Sequence, residues 1–410
     1  MPTTTAPRST IWSWALFDFA NTSFYVIMIT LVFPVYFTNV LAGGNEAVWT
    51  RTIALSMLVT ALIGPLLGSI ADATNRKKLF LALFTILCIA ATVGLYWATG
   101  PALLGMAIVL LIAANVGFEG GTIFYDAFLP EIAVEKDYAR VSALGWAVGY
   151  AGSLAILFGV LPILSMDPLP NEMVRLTFLI AAASFALFAI PLFLKVPEHP
   201  RQGDAGKISL LDGYRRLRQT LTHLRSYRDV VRFLTAYFVY NDGILTVIAL
   251  AAIFMNKTLG FDMTQQITFF MIVQVTALIG SLIFGRVAER RGARGTLFIT
   301  LSIWIVVVVT AYFVESASAF FVVGGIAGLA LGSSQSTSRT LMALLTPAEK
   351  KTEFFGFYDG FFGKASAVIG PLLFGEIAIR FGQRPAMLVI GVMFIIGMAL
   401  LTRVPDVRAE

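Results

Sequence analysis

Apolar runs long enough to cross a bilayer recur along almost the whole chain, and no other feature restricts its fold so tightly. A helix needs roughly 20 apolar residues to span the hydrocarbon core. Twelve such stretches fit, at about 11–40, 50–72, 79–99, 102–126, 140–165, 173–195, 230–256, 265–288, 295–314, 317–344, 353–379 and 385–403. Charged residues make up only 13% of the chain, against about 25% in a soluble domain. Backbone groups in lipid must find their partners within the segment, which favours helices. The expectation is an all-α membrane protein of twelve transmembrane helices. The apolar run after Arg8 is about thirty residues long, too long for the core of a cleavable signal, so it is expected to stay as the first helix.

The chain also repeats itself. Gly68-Ser-Ile-Ala-Asp72-Ala-Thr-Asn75-Arg76-Lys77-Lys78 ends the second run, and Gly285-Arg-Val-Ala-Glu289-Arg290-Arg291-Gly292-Ala-Arg294 ends the eighth. Both follow an Ala-Leu-Ile-Gly sequence, at Ala61 to Gly64 and Ala277 to Gly280, and Pro130 and Pro347 keep the same separation. Duplicated halves imply two pseudo-symmetric six-helix bundles around a central site. The expected division is 1–195 for the first bundle, 196–228 for a basic linker and 229–410 for the second. The linker carries Pro197, Pro200, Gly203 and Gly206, then Tyr214-Arg-Arg-Leu-Arg218, which reads as a turn followed by an amphipathic helix on the inner leaflet.

Lysine and arginine placement sets the orientation. With both termini in the cytoplasm, 23 of the 30 basic residues fall on the cytoplasmic side. That orients the chain, with its +6 charge reflecting topology and contact with anionic lipid rather than nucleic acid. One cysteine, Cys88, and two histidines exclude an internal disulfide and argue against a metal site. No phosphate-cradling Gly-rich loop with Lys-Ser or Lys-Thr is present, which argues against an ATP-driven pump. Neither an enzyme nor a cofactor is expected, and the chain reads as a monomer.

Ionisable side chains inside spans cost roughly 2.5–3.5 kcal/mol each on insertion scales and so mark function. Asp18, Glu119, Asp242, Arg339, Asp359 and Lys364 are the candidates, while Asp126 reads as a solvated helix end. Aligning the halves sets Asn21 of the first span opposite Asp242 of the seventh, at depths that face one cavity. Asn241-Asp242-Gly243 suggests an interrupted, cavity-lining seventh helix. Glu119 and Arg339 stand at similar depth and can pair, or can be a static ion pair that only holds helices. The polar run Ser333 to Ser338 includes Gln335 and cannot face lipid. Asp359 and Lys364 diverge around the eleventh helix and are expected to have different partners, in a gating role. A proton taken up by Asp18 or Asp242 would drive transport. Most aromatic residues of the first span are expected at the lipid face or the interface, and Tyr237, Phe238 and Tyr240 are candidates to wall the site. Gly145, Gly149 and Gly152 of the fifth span, with Gly356, Gly360 and Gly363 of the eleventh, are expected chiefly to let helices pack closely.

These features resemble the major facilitator superfamily over the whole chain. Its loop signature, Gly-x-x-x-Asp-basic-x-Gly-basic-basic, is matched by Gly68, Asp72, Arg76 and Lys77, with Ala73 and Asn75 as departures. Gly285, Glu289, Arg290, Gly292 and Arg294 match it more closely. The resemblance implies a cytoplasmic gate in which the acid meets a helix N-terminus and nearby bases. A closer similarity is to the vacuolar amino-acid effluxer (autophagy-related) family and its bacterial relatives. It rests on Trp14-Ala-Leu-Phe-Asp18-Phe-Ala-Asn21, Phe124-Tyr-Asp-Ala-Phe-Leu-Pro130-Glu-Ile-Ala133, Ser142-Ala-Leu-Gly-Trp146-Ala-Val-Gly-Tyr150, Tyr237-Phe-Val-Tyr-Asn241-Asp-Gly243, Glu353-Phe-Phe-Gly-Phe-Tyr358 and Gly370-Pro-Leu-Leu-Phe-Gly375. That resemblance implies a secondary active transporter of a small solute, coupled to protons or another ion, with amino-acid export as the expected direction. A drug or lipid exporter and a non-transporting membrane sensor are the alternatives.

Overall fold

The computed structural model describes residues 4–74, 76–198, 210–261, 263–367 and 369–407. The linker stretch 199–209, with Pro200, Gly203 and Gly206, lies outside the described residues, as does Asn75. Twelve helices among the described residues are long and apolar enough to cross a membrane. They are α1 (Arg8–Leu41), α2 (Ala47–Thr74), α3 (Lys77–Trp97), α4 (Pro101–Ile132), α5 (Glu135–Leu164) and α6 (Asn171–Lys195). The second six are α7 (Arg225–Ala251), α8 (Gln265–Arg291), α9 (Ala293–Phe313), α10 (Ala317–Leu345), α11 (Ala348–Phe381) and α12 (Gln383–Leu401). A shorter helix, Leu210–Thr222, lies in the linker, where the basic amphipathic segment was expected.

Two spans depart from regular geometry. In α1 the backbone widens to π-helix over Tyr25–Leu31 and Phe37–Leu41. Pro34 lies between them and has no N–H to give the carbonyl one turn back, so the ladder must open there. Within the first widened segment the Thr30 hydroxyl donates to the Tyr25 carbonyl at 3.1 Å. In α11 a π segment at Gly356–Phe362 leads into Gly363–Ala365, and helix resumes only at Ile369–Phe381.

Contacts divide the chain into two compact units. Unit 1 is Met1–Ile132, Val148–Leu217 and Glu349–Phe361, and unit 2 is Ala133–Ala147, Arg218–Ala348 and Phe362–Glu410. The start of α5 therefore packs within unit 2, and the start of α11 within unit 1. In unit 1, α5 lies against α1 so closely that a Cβ on Gly152 would meet the Phe19 Cα at 2.7 Å. Gly356 of α11 approaches the Gly64 carbonyl of α2 in the same way, at 2.7 Å. Both contacts are the close packing expected of these glycines, because small residues let helix backbones approach in lipid.

Three local expectations are corrected. The seventh span is not interrupted at Asn241-Asp242-Gly243, since helix runs unbroken from Arg228 to Leu259. The break is in α11, and the polar pair on α7 serves it. Asp126 is not a solvated end but 3% exposed, and the chain returns to helix at Leu129–Ile132 rather than opening to solvent there. The aromatic side chains of α1 mostly face inward. Trp14, Phe17 and Phe24 are at most 1% exposed, while Trp12 and Tyr25 stay open.

Candidate functional site

The two copies of the charged patch have different geometry. In unit 1 the Asp72 carboxylate accepts the backbone N–H of Glu353 at 2.8 Å, at the first turn of helix Lys351–Phe355. The unpaired N–H groups and positive dipole of a helix start favour an acid there. Lys77 lies 3.9 Å from Asp72 and also pairs with Glu131, at the end of α4. Gly68 rests on the Thr352 carbonyl with no room for a Cβ. Arg76 is exposed and leads into α3.

In unit 2, Gly285 packs directly on Ala143 of α5. Glu289 meets a side chain rather than a helix start, with the Arg140 guanidinium 3.9 Å away and 62% exposed. Gly292 makes the turn with φ +80°, a conformation a side chain would strain. Arg290 is exposed. Arg294 turns to the end of α12, donating to the Leu401 and Thr402 carbonyls at 3.3 and 2.9 Å, and its guanidinium stands 5.6 Å from the Phe298 ring centroid.

The intramembrane charges are drawn inward. In unit 1, Asp18 is half-buried and accepts from the Tyr125 hydroxyl at 2.8 Å. Tyr125 is itself stacked on Trp14 and Phe17, at centroid distances of 4.7 and 5.0 Å. Asn21 is buried one turn further on. Glu119 on α4 is 5% exposed. Near it, the Asn115 amide donates to the Ser56 hydroxyl at 2.7 Å, while its own oxygen is buried with no donor. Asp359 lies on the π segment of α11.

In unit 2, Asp242 is fully buried, and both carboxylate oxygens accept the Gly370 N–H at 2.9 Å. Gly370 is the second residue of the resumed α11 helix, so Asp242 caps a helix that is not its own. Next to it, Asn241 donates to the Ser366 hydroxyl at 2.7 Å, and Gln335 reaches the Asn241 carbonyl at 3.5 Å. Arg339 is 1% exposed. It donates to the Ser142 hydroxyl and carbonyl at 3.0 and 2.7 Å, and its guanidinium lies 5.5 Å from the Trp146 ring centroid. Lys364 occupies the short helix just before the break. Hydroxyls of the α10 polar run return to their own helix, as Ser334 to Ala330 and Ser336 to Gly332 at 2.7 and 2.9 Å. Tyr237 and Tyr240 are buried in the core, and Tyr240 meets Ser338 at 2.8 Å.

The structure thus joins Asn241, Asp242 and Gln335 around one helix break, and it adds partners that charge alone did not single out: Tyr125, Ser142, Trp146 and Ser366. Tyr125, Ser142 and Trp146 lie inside two of the family-like stretches, but as polar or aromatic residues in apolar runs they carried no distinct chemical signal. Ser366 had no signal at all.

Comparison with known proteins accords with this fold. A model of the family described as "Vacuole effluxer Atg22 like" matches residues 44–410. The uncharacterized MFS-type transporter YxiO of Bacillus subtilis is 33% identical over 407 residues, covering 96% of this chain and 94% of YxiO. Autophagy-related protein 22-1 of Penicillium rubens is 24% identical over 296 residues, which cover 66% of this chain and 50% of that protein. Among solved structures, the human organic anion transporter MFSD10 superposes with a TM-score of 0.74 at 16% identity, over 96% of this chain and 99% of its own. The Escherichia coli fucose:proton symporter FucP gives 0.71 at 12% identity, over 97% and 98%. Twelve helices in this arrangement, with a family model that extends over all but the first 43 residues, make the chain a transporter rather than an enzyme, and it belongs to the vacuole effluxer Atg22-like family of the major facilitator superfamily.

Proposed function

We propose that this chain exports small zwitterions, neutral amino acids first, across a bacterial inner membrane by alternating access, with both termini cytoplasmic and with protons as the coupling ion. The observation that supports a polar cargo most directly is the withdrawal of charge from lipid. Glu119, Asp242 and Arg339 are each no more than 5% exposed, in helices that are otherwise apolar. Charge at such depth is tolerated where it lines a solute path or holds one open. Of the two acids considered for proton uptake, Asp18 fits better. It keeps part of its surface open and takes a hydroxyl donor, whereas Asp242 is fully buried and both its oxygens are already engaged by a backbone N–H that closes a helix end. The two charged patches act as cytoplasmic gates, Asp72 by holding a helix start and Glu289 by pairing with Arg140, and the basic linker helix lies on anionic lipid.

The test is transport by purified protein in proteoliposomes. Labelled leucine is expected to exchange against internal leucine, and an imposed pH gradient to drive net movement. Asp18→Asn is expected to abolish the driven flux while leaving exchange. Loss of exchange for every neutral amino acid would overturn the cargo assignment. Driven flux unchanged in Asp18→Asn would overturn the proton assignment.

A further inference from the structure

Resting on the reading of the chain as a solute transporter, we infer that unit 1 holds a dedicated subsite for an ammonium group, built from Tyr25, Phe118, Glu119 and Asn115. The first element is an acceptor left open. Ser56 gives its own proton to the Ile53 carbonyl at 2.7 Å, so it can only accept from the Asn115 amide nitrogen, at 2.7 Å. That fixes the orientation of the amide. The Asn115 oxygen is left buried with no donor, on a residue 1% exposed, and a buried acceptor of this kind calls for an incoming N–H.

The second element is the carboxylate of Glu119, one helical turn along α4 and on the same face as Asn115. The third is aromatic. Tyr25 is 39% exposed where α1 widens to π-helix, and its ring is stacked at 5.7 Å on Phe118, the residue next to Glu119. A widened turn of this kind is a frequent mark of a functional position. A carboxylate, an amide oxygen and the faces of two rings supply acceptors and π-density. That set suits a primary ammonium, with three donors and a charge that rings attract, and it offers little to an isolated carboxylate. The ligand class is therefore an amine or the amino end of a zwitterion.

Three leucine-shaped probes separate the possibilities, measured as shifts in the unfolding temperature of the full-length protein in detergent. Isoamylamine carries only the ammonium, 4-methylpentanoate only the carboxylate, and leucine both. Leucine and isoamylamine are expected to stabilise the wild type by mass action, and 4-methylpentanoate to do so at least tenfold more weakly. Glu119→Gln and Asn115→Leu are expected to weaken isoamylamine at least tenfold. A wild type that prefers 4-methylpentanoate, or that ignores isoamylamine, overturns the subsite without reference to any variant. Isoamylamine binding unchanged in Glu119→Gln overturns it as well. If isoamylamine binds as expected but leucine is not exchanged by proteoliposomes, the amino-acid cargo is wrong and the ammonium subsite stands.

Discussion

Asp242 and Gly370 are 128 residues apart in sequence, yet both carboxylate oxygens of the first lie 2.9 Å from the backbone nitrogen of the second. A buried acid on one continuous helix thereby closes the open end of another that has been cut. Removing it should leave the first turn of Ile369–Phe381 uncapped at a cost of about 0.5–2 kcal/mol. Asp242→Ala is expected to speed hydrogen exchange over residues 369–373, with little change in the continuous helix that carries residue 242. Unchanged protection at 369–373 would show that the cap is redundant.

The two charged patches should respond unequally. Asp72 meets a backbone N–H with its side chain 4% exposed, and Glu289 meets an exposed guanidinium with 29% of its side chain open. Hydrogen bonds to buried charge contribute about 1.5–3 kcal/mol, and exposed ion pairs about 0–1 kcal/mol. Asp72→Ala should therefore lower the melting temperature clearly, and Glu289→Ala should leave it nearly in place. Equal losses would mean that both acids hold the fold in the same way.

Arg339 should not tolerate lysine. Its planar fork donates to the Ser142 carbonyl and hydroxyl together while its face lies near Trp146. Lysine keeps the charge but loses the fork and the stacking. The expected loss is about 1–3 kcal/mol in thermal unfolding, with Ser142→Ala giving a smaller part of it. A lysine variant as stable as the wild type would show that the charge alone matters.

Glu198 makes stability depend on pH. Burial first, and then the nearby Glu131 charge, push its carboxyl above the ordinary range, against the Lys78 N–H that it accepts at 3.0 Å. Between the ordinary value and the raised one, the folded chain keeps the proton and the unfolded chain has lost it. The contribution of this group is complete below the ordinary value and disappears as pH rises through the raised one. Melting curves of the wild type and Glu198→Gln across this range should therefore diverge. The wild type should lose stability relative to the glutamine variant as pH rises, and parallel curves would remove Glu198 as the source.

Helix count and approximate boundaries were legible because lipid permits few alternatives, and the runs at α3, α6 and α9 fall where composition places them. Charge depth was legible too, since Glu119, Asp242 and Arg339 are all withdrawn. Partners were not. Asn241-Asp242-Gly243 looked like a broken helix because three poor helix formers stand together, but the polar atoms serve a gap in α11, where Pro371 has no N–H for the preceding turn. Trp14 and Phe17 looked like lipid anchors by type, and only tertiary packing shows that they bury Tyr125 beside Asp18. Side chains that meet across more than a hundred residues leave no periodic trace.

One ammonium, on Lys77, lies against the acids of two helix ends, Asp72 and Glu131. Alanine at 73 is then no defect, because Lys77, one turn along the chain, already supplies the positive partner. Relatives that differ at 73 need share nothing but a cation at the position of 77. A search that scores letters at fixed places would rank the two patches in the reverse order of how firmly they are held.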